Sequence, residues 1–192
     1  MMSEDNKRLV DGALAGLIAT VPMTLFMLAS HRNLPFWQRY PLPPSLITQR
    51  AFGDIALPGH PAPIPNIAAT LAAHFGFGGA TGALFAAAPS ALRRQYPVAT
   101  GVVYGLCVWA ASYLGWVPGL SLMSPATQQP AARNTMMIAA HVVWGATLGL
   151  ALELLSERRA HRSSGRPHDD RTSASRSLRA SRHPPSRATC MP

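Results

Sequence analysis

Two histidines stand inside apolar stretches and share a register. Ala72, Ala73 and His74 are followed by Gly78 and Gly82, and Ala139, Ala140 and His141 by Gly145 and Gly149, so both segments read His-x3-Gly-x3-Gly. An ionisable ring in an apolar helix is costly and faces protein or water rather than lipid. Imidazole can donate or accept a hydrogen bond, carry a proton near neutral pH, or ligate a metal. Three chemistries are therefore open for His74 and His141 as a polar pair or ligand site: interhelical hydrogen bonding, a proton or solute pathway, or axial ligation of haem or another metal. Packing glue is the plainest of these. No Cys-x-x-Cys-His attachment site accompanies the pair, so no cofactor or metal is expected.

Nothing else in the chain has the spacing of a catalytic centre. There is no His-Glu-x-x-His, no phosphate loop, no paired carboxylates within an apolar run and no serine in a glycine elbow. Asp11 and Glu153 fall at the ends of apolar runs, where they pair with arginines or reach the headgroups. The chain is not expected to be an enzyme.

The elements that must position the histidines follow from the distribution of charge. Only 13% of the 192 residues are charged, about half the share usual in a soluble domain, which argues against a soluble enzyme. Stretches free of Asp, Glu, Lys and Arg run over residues 12–31, 55–92, 95–132 and 134–152. A helix crossing about 30 Å of hydrocarbon needs roughly 20 apolar residues, and each stretch holds one such helix. Spans are predicted at about 9–30, 67–88, 98–117 and 135–155, giving an all-α integral membrane bundle of four transmembrane helices arranged as two helical hairpins. Pro22 lies within the first span and predicts a kink that neighbouring helices tolerate. Lys7 and Arg8 before that span also fit a cleaved signal peptide. Against this, the apolar length exceeds the usual core of about 7–15 residues, and Gly12, Gly16, Thr20 and Thr24 share one helical face, as packing requires.

Glycines at i and i+4 flatten a helix face so that a second backbone can approach. Gly12 and Gly16 in the first span match Gly101 and Gly105 in the third, as Gly78 and Gly82 in the second match Gly145 and Gly149 in the fourth. All eight are candidate helix-packing positions, and the chain reads as two hairpins of parallel repeat sense. At about 1.5 Å per residue, His74 and His141 lie at matching depths.

Lys and Arg number 17 against 8 acids, a net charge of +9, and residues 158–192 hold nine of the arginines. With both termini cytoplasmic, that side carries Lys7, Arg8, Arg93, Arg94 and the nine tail arginines, and the other carries Arg32, Arg39, Arg50 and Arg133, the asymmetry expected of cytoplasmic segments. Trp37, Tyr40, Tyr113 and Trp116 then fall near the outer interface. The Pro-rich outer loop over 32–66 either holds a short surface helix at about 44–57, with Leu46, Ile47, Ala51 and Ile55 on one face, or packs irregularly. This loop and the one over 118–133 are expected to cap the bundle. Residues 158–192 have almost no large apolar side chains and are expected to be a disordered cytoplasmic tail. The tail is attracted to anionic lipid and lacks the aromatic interleaving that would indicate a specific nucleic-acid partner. Cys107 in a span and Cys190 in the tail indicate no structural disulfide.

The order Gly12-Ala-Leu-Ala-Gly16, Tyr40-Pro-Leu-Pro-Pro44, Ala73-His74 and Ala140-His141-Val-Val-Trp144-Gly145 resembles the YagU-like uncharacterised bacterial inner-membrane proteins over about residues 9–155. The resemblance implies a small multi-pass protein of the bacterial cytoplasmic membrane and carries over no activity or catalytic residue. The expected role is a structural or stress-related membrane component whose partners are the lipid bilayer and a second copy or another membrane protein. A small transporter or proton-conducting protein using the histidine pair is the alternative, followed by a haem-binding electron carrier.

Overall fold

The computed structural model describes residues 3–39, 41–52 and 67–164, and every regular element among them is a helix. Helix α1 (Glu4–Arg32) starts where the Ser3 hydroxyl accepts the Asn6 N–H at 3.2 Å. Glu4 and Asp5 stand at the positive end of its dipole. The helix runs unbroken through Pro22. Then follow α2 (Pro43–Phe52), α3 (Ile67–Ala87), the short α4 (Ser90–Gln95) and α5 (Pro97–Ala110). A six-residue π segment (Ala111–Trp116) leads into α6 (Val117–Gly119), and α7 (Ala131–Ser164) closes the series. Four helical stretches, Glu4–Arg32, Ile67–Ala87, Pro97–Gly119 and Ala131–His161, are long and apolar enough to cross a membrane. The fold is an all-helical integral membrane bundle.

The π segment has a local cause. In an α ladder the ring of Pro118 would collide with the carbonyl four residues earlier, that of Leu114. The Val117 N–H instead reaches back five residues to the Ser112 carbonyl, and the Leu122 N–H reaches the Val117 carbonyl at 3.0 Å in the same pattern.

The exterior is apolar and the interior partly polar, the reverse of a soluble domain. Leu14, Ile18, Val21 and Leu25 on α1, Leu84 on α3, Val103 on α5 and Leu150 on α7 are exposed, while Thr20, Thr81, Ser112 and His141 are buried with Ala15, Ala19, Met27, Trp144 and Leu148. Within each hairpin the helices meet backbone to backbone. A Cβ added to Gly82 would lie 2.7 Å from the Gly16 Cα, and one added to Gly105 would lie 2.5 Å from the His141 carbonyl oxygen. Side chains join the hairpins instead: Phe85 and Tyr104 rings lie 4.9 Å apart, Phe77 and Trp116 rings 5.9 Å apart, and the Tyr104 hydroxyl donates to the Thr81 carbonyl at 2.8 Å.

At the end of α3, where the last carbonyls have no helical partner, Arg8 donates to Ala86 at 3.2 Å and Arg93 to Phe85 and Ala88. Burial, with Arg8 and Arg94 close by, draws the Arg93 guanidinium below its usual range.

Three expectations need adjustment. The chain divides into Met1–Glu157 and Arg158–Pro192, but helix α7 continues to Ser164 where disorder was expected from 158. Arg158, Arg159 and Ala160 are good helix formers, and they extend a helix already nucleated. The rest of the tail, with Cys190, lies outside the described residues, as do Tyr40 and the stretch of the outer loop from 53 to 66. Tyr113, expected at the outer interface, is buried at 8% exposure, because the π segment turns it into the bundle. Arg133, expected in an outer loop, is 2% exposed and donates from Nη2 to the Pro41 carbonyl at 3.0 Å.

Candidate functional site

Beyond the glycine contacts the helices diverge around a cavity of about 270 Å³. Helix α1 contributes Thr20 and Met23, and α3 contributes Ala73, His74, Phe77, Gly78 and Thr81. Val108, Ser112, Tyr113, Trp116 and Val117 come from α5 through α6, and Met137, His141 and Trp144 from α7. Pro44, Ile47 and Thr48 of α2 complete the wall. The described part of the α1–α3 connection, residues 41–52, therefore lies against the bundle, and the Arg133 bond to Pro41 ties the start of α2 to α7.

Both sequence-predicted histidines line this one cavity. They are not equivalent. His141 is 6% exposed, and its Nδ1 lies 2.8 Å from the Met137 carbonyl oxygen. A carbonyl can only accept, so Nδ1 carries the proton, and the neutral ring keeps its lone pair on Nε2. The Tyr113 ring meets His141 edge-on at 6.0 Å. His74 Nε2 is buried and has no hydrogen-bond partner among the described residues; its ring meets Phe75 edge-on at 6.0 Å. A buried imidazole nitrogen without a partner is destabilising.

The other polar side chains of the wall are largely self-satisfied. The hydroxyls of Thr20, Thr48 and Thr81 donate to the carbonyls of Gly16, Pro44 and Phe77 on their own helices, at 2.8, 2.7 and 2.7 Å. Ser112 Oγ accepts the Trp116 indole N–H at 3.2 Å. Among the described residues, no Asp, Glu, Lys or Arg lines the cavity. Among the described residues, no three His, Cys, Asp or Glu side chains group to hold a metal ion.

The eight predicted packing glycines fall into two sets. Gly12 and Gly16 of α1 face Gly82 and Gly78 of α3, and Gly101 and Gly105 of α5 face Gly145 and the His141 turn of α7, while Gly149 abuts Pro97. At each of the eight a Cβ would come within 3 Å of another atom, whereas Gly76, Gly115 and Gly119 have nothing within 4 Å. Sequence reasoning missed Ser112, Tyr113 and the π segment. Their signal was available in Pro118, which follows two polar side chains in an otherwise apolar run and must disturb the ladder beneath them. It also missed Arg133 as a buried tie, which depends on a contact 92 residues away.

Neither a curated protein nor a solved structure matches the chain. A family model does match, over residues 6–163, a stretch that takes in every residue lining the cavity, and the chain belongs to that family of unknown function, DUF6789.

Proposed function

We propose that this chain is a multi-pass protein of the bacterial cytoplasmic membrane that binds a small, largely apolar molecule between its two hairpins, in the manner of a carrier, and does not transform it. The observation that carries the reading is the cavity that both histidines line. A purely structural or stress-related bundle has no use for a cavity lined by two histidines, one with a buried, partnerless nitrogen. π segments are frequent at functional sites, and Ser112, Tyr113 and Trp116 of this one all line the wall. Haem ligation has less support, because about 270 Å³ lies below the roughly 300–1,000 Å³ of pockets that bury drug-sized ligands.

Trp116 and Trp144 line the cavity and report on it. Bromobenzene, whose heavy atom quenches indole emission, is expected to quench saturably in the detergent-purified protein, and Ala73→Phe, which fills the space, is expected to abolish that quenching. A quench that rises linearly in both proteins would favour the structural reading. The positive-inside asymmetry and the YagU-like resemblance support both termini being cytoplasmic. Alkaline phosphatase fused after Ser90 should then be inactive, and fused after Gln128, active.

A further inference from the structure

The polar atoms of the cavity are unusual in kind. The three threonine hydroxyls that reach the wall have spent their protons on their own helices, and Ser112 Oγ is already accepting from Trp116. His141 has its proton on Nδ1, committed to Met137, so the ring edge away from that carbonyl offers a lone pair and no hydrogen. The wall thus offers acceptors at these oxygens and at His141 Nε2, and donors at the Tyr113 hydroxyl and the Trp144 indole N–H. Among the described residues it also has no charged side chain to offset a charged guest, whose burial without a partner is strongly unfavourable. His74 also lines the cavity, but its unpartnered Nε2 is itself buried, which leaves His141 Nε2 as the imidazole acceptor.

These conditions narrow the guest. It should be neutral, and its polar end should both donate, to His141 Nε2, and accept, from the Tyr113 hydroxyl or the Trp144 N–H. A hydroxyl both donates and accepts; an ether or ketone cannot donate, and a carboxylate or ammonium brings charge. We propose that the cavity takes a small apolar alcohol or phenol whose O–H donates to His141 Nε2. This rests on the binding reading above and names the chemistry of its ligand.

The test uses two quenchers of nearly equal shape, 4-bromophenol and 4-bromoanisole, titrated against the Trp116 and Trp144 emission of the full chain near pH 7, where a phenol keeps its proton. Both should quench saturably, with the phenol bound about three- to tenfold more tightly, the worth of one net hydrogen bond. In His141→Phe, which keeps a ring in place, the gap should close while the anisole still binds. Nitrogen NMR of the unmutated protein gives a readout independent of that variant's folding: the His141 Nε2 resonance should move with the phenol and stay with the anisole. Equal affinities in the unmutated protein, a gap that survives His141→Phe, or an unmoved Nε2 resonance would each overturn the proposal. Saturable binding of both compounds without a gap leaves the binding reading intact, whereas the absence of saturable binding for either compound and for bromobenzene removes both.

Discussion

Eight residues separate Gly82 from His74 on α3 and Gly149 from His141 on α7, about 12 Å of helix, and over that rise the bundle changes character. At the glycine level, backbones touch across each hairpin so closely that no Cβ fits. Toward the histidines a space of about 270 Å³ opens between the hairpins, lined by both rings, and His74 keeps a buried, partnerless nitrogen, although Gly105 still meets the His141 carbonyl within the second hairpin. Close apolar packing is what drives helices together in lipid, where burial of apolar surface contributes little. The comparison teaches that association is concentrated at one level, which frees the other to hold a void and an unsatisfied polar atom, both destabilising in themselves.

The largest effect that could break this contrast comes from the glycines. Gly82→Leu or Gly145→Leu should cost about 3 kcal/mol or more, the upper end of overpacking penalties, because the obstacle is backbone that cannot give way. Gly76→Leu, with nothing within 4 Å, should change stability by less than about 0.5 kcal/mol. Thermal unfolding in detergent measures both, and equal tolerance would erase the distinction between the two levels.

Next in size is the tie over the cavity. Arg133→Met removes a charge-assisted bond to Pro41 of roughly 1.5–3 kcal/mol, and limited proteolysis should find faster cleavage between α1 and α2. An unchanged digestion pattern would mean that α2 is held by other contacts.

Smaller still is the coupling of His74 and His141. If they serve one site, the double alanine variant should cost less than the two single variants together, by roughly 0.6–2 kcal/mol. Strict additivity would make them independent residues that happen to share a wall.

Removing residues 165–192 should move the unfolding midpoint hardly at all, within about 0.5 kcal/mol, since every residue at both levels precedes them. A destabilised bundle would show that the tail belongs to the comparison after all.

Much of the glycine level was legible in the sequence. Span lengths follow from the thickness of hydrocarbon, and the i, i+4 glycines announce which helix face will be approached, so the two hairpins and all eight packing positions could be read from spacing alone. The histidine register was legible for the same reason: it repeats. The rest depended on contacts that spacing does not encode. Tyr113 is buried because Pro118 shifts the ladder by one residue, Arg133 is buried because it meets Pro41, and α2 covers the cavity because the loop folds back. The extension of α7 to Ser164 was missed because composition averaged over a tail hides a helix-forming run at its start.

The glycine contacts also decide where the molecule is stiff. With α1 seated on α3 and α5 on α7 at backbone distance, neither pair can slide or splay internally without driving main chain into main chain. Each hairpin is in effect one beam. The joint between the beams is made of rings, the Tyr104-to-Thr81 bond and the Arg133 tie to Pro41, which rotamer changes can accommodate. If the cavity takes a guest as proposed, the motion that admits or releases it is a rocking of one beam against the other, with the cavity wall at the joint and the bromophenyl quenchers as its reporters.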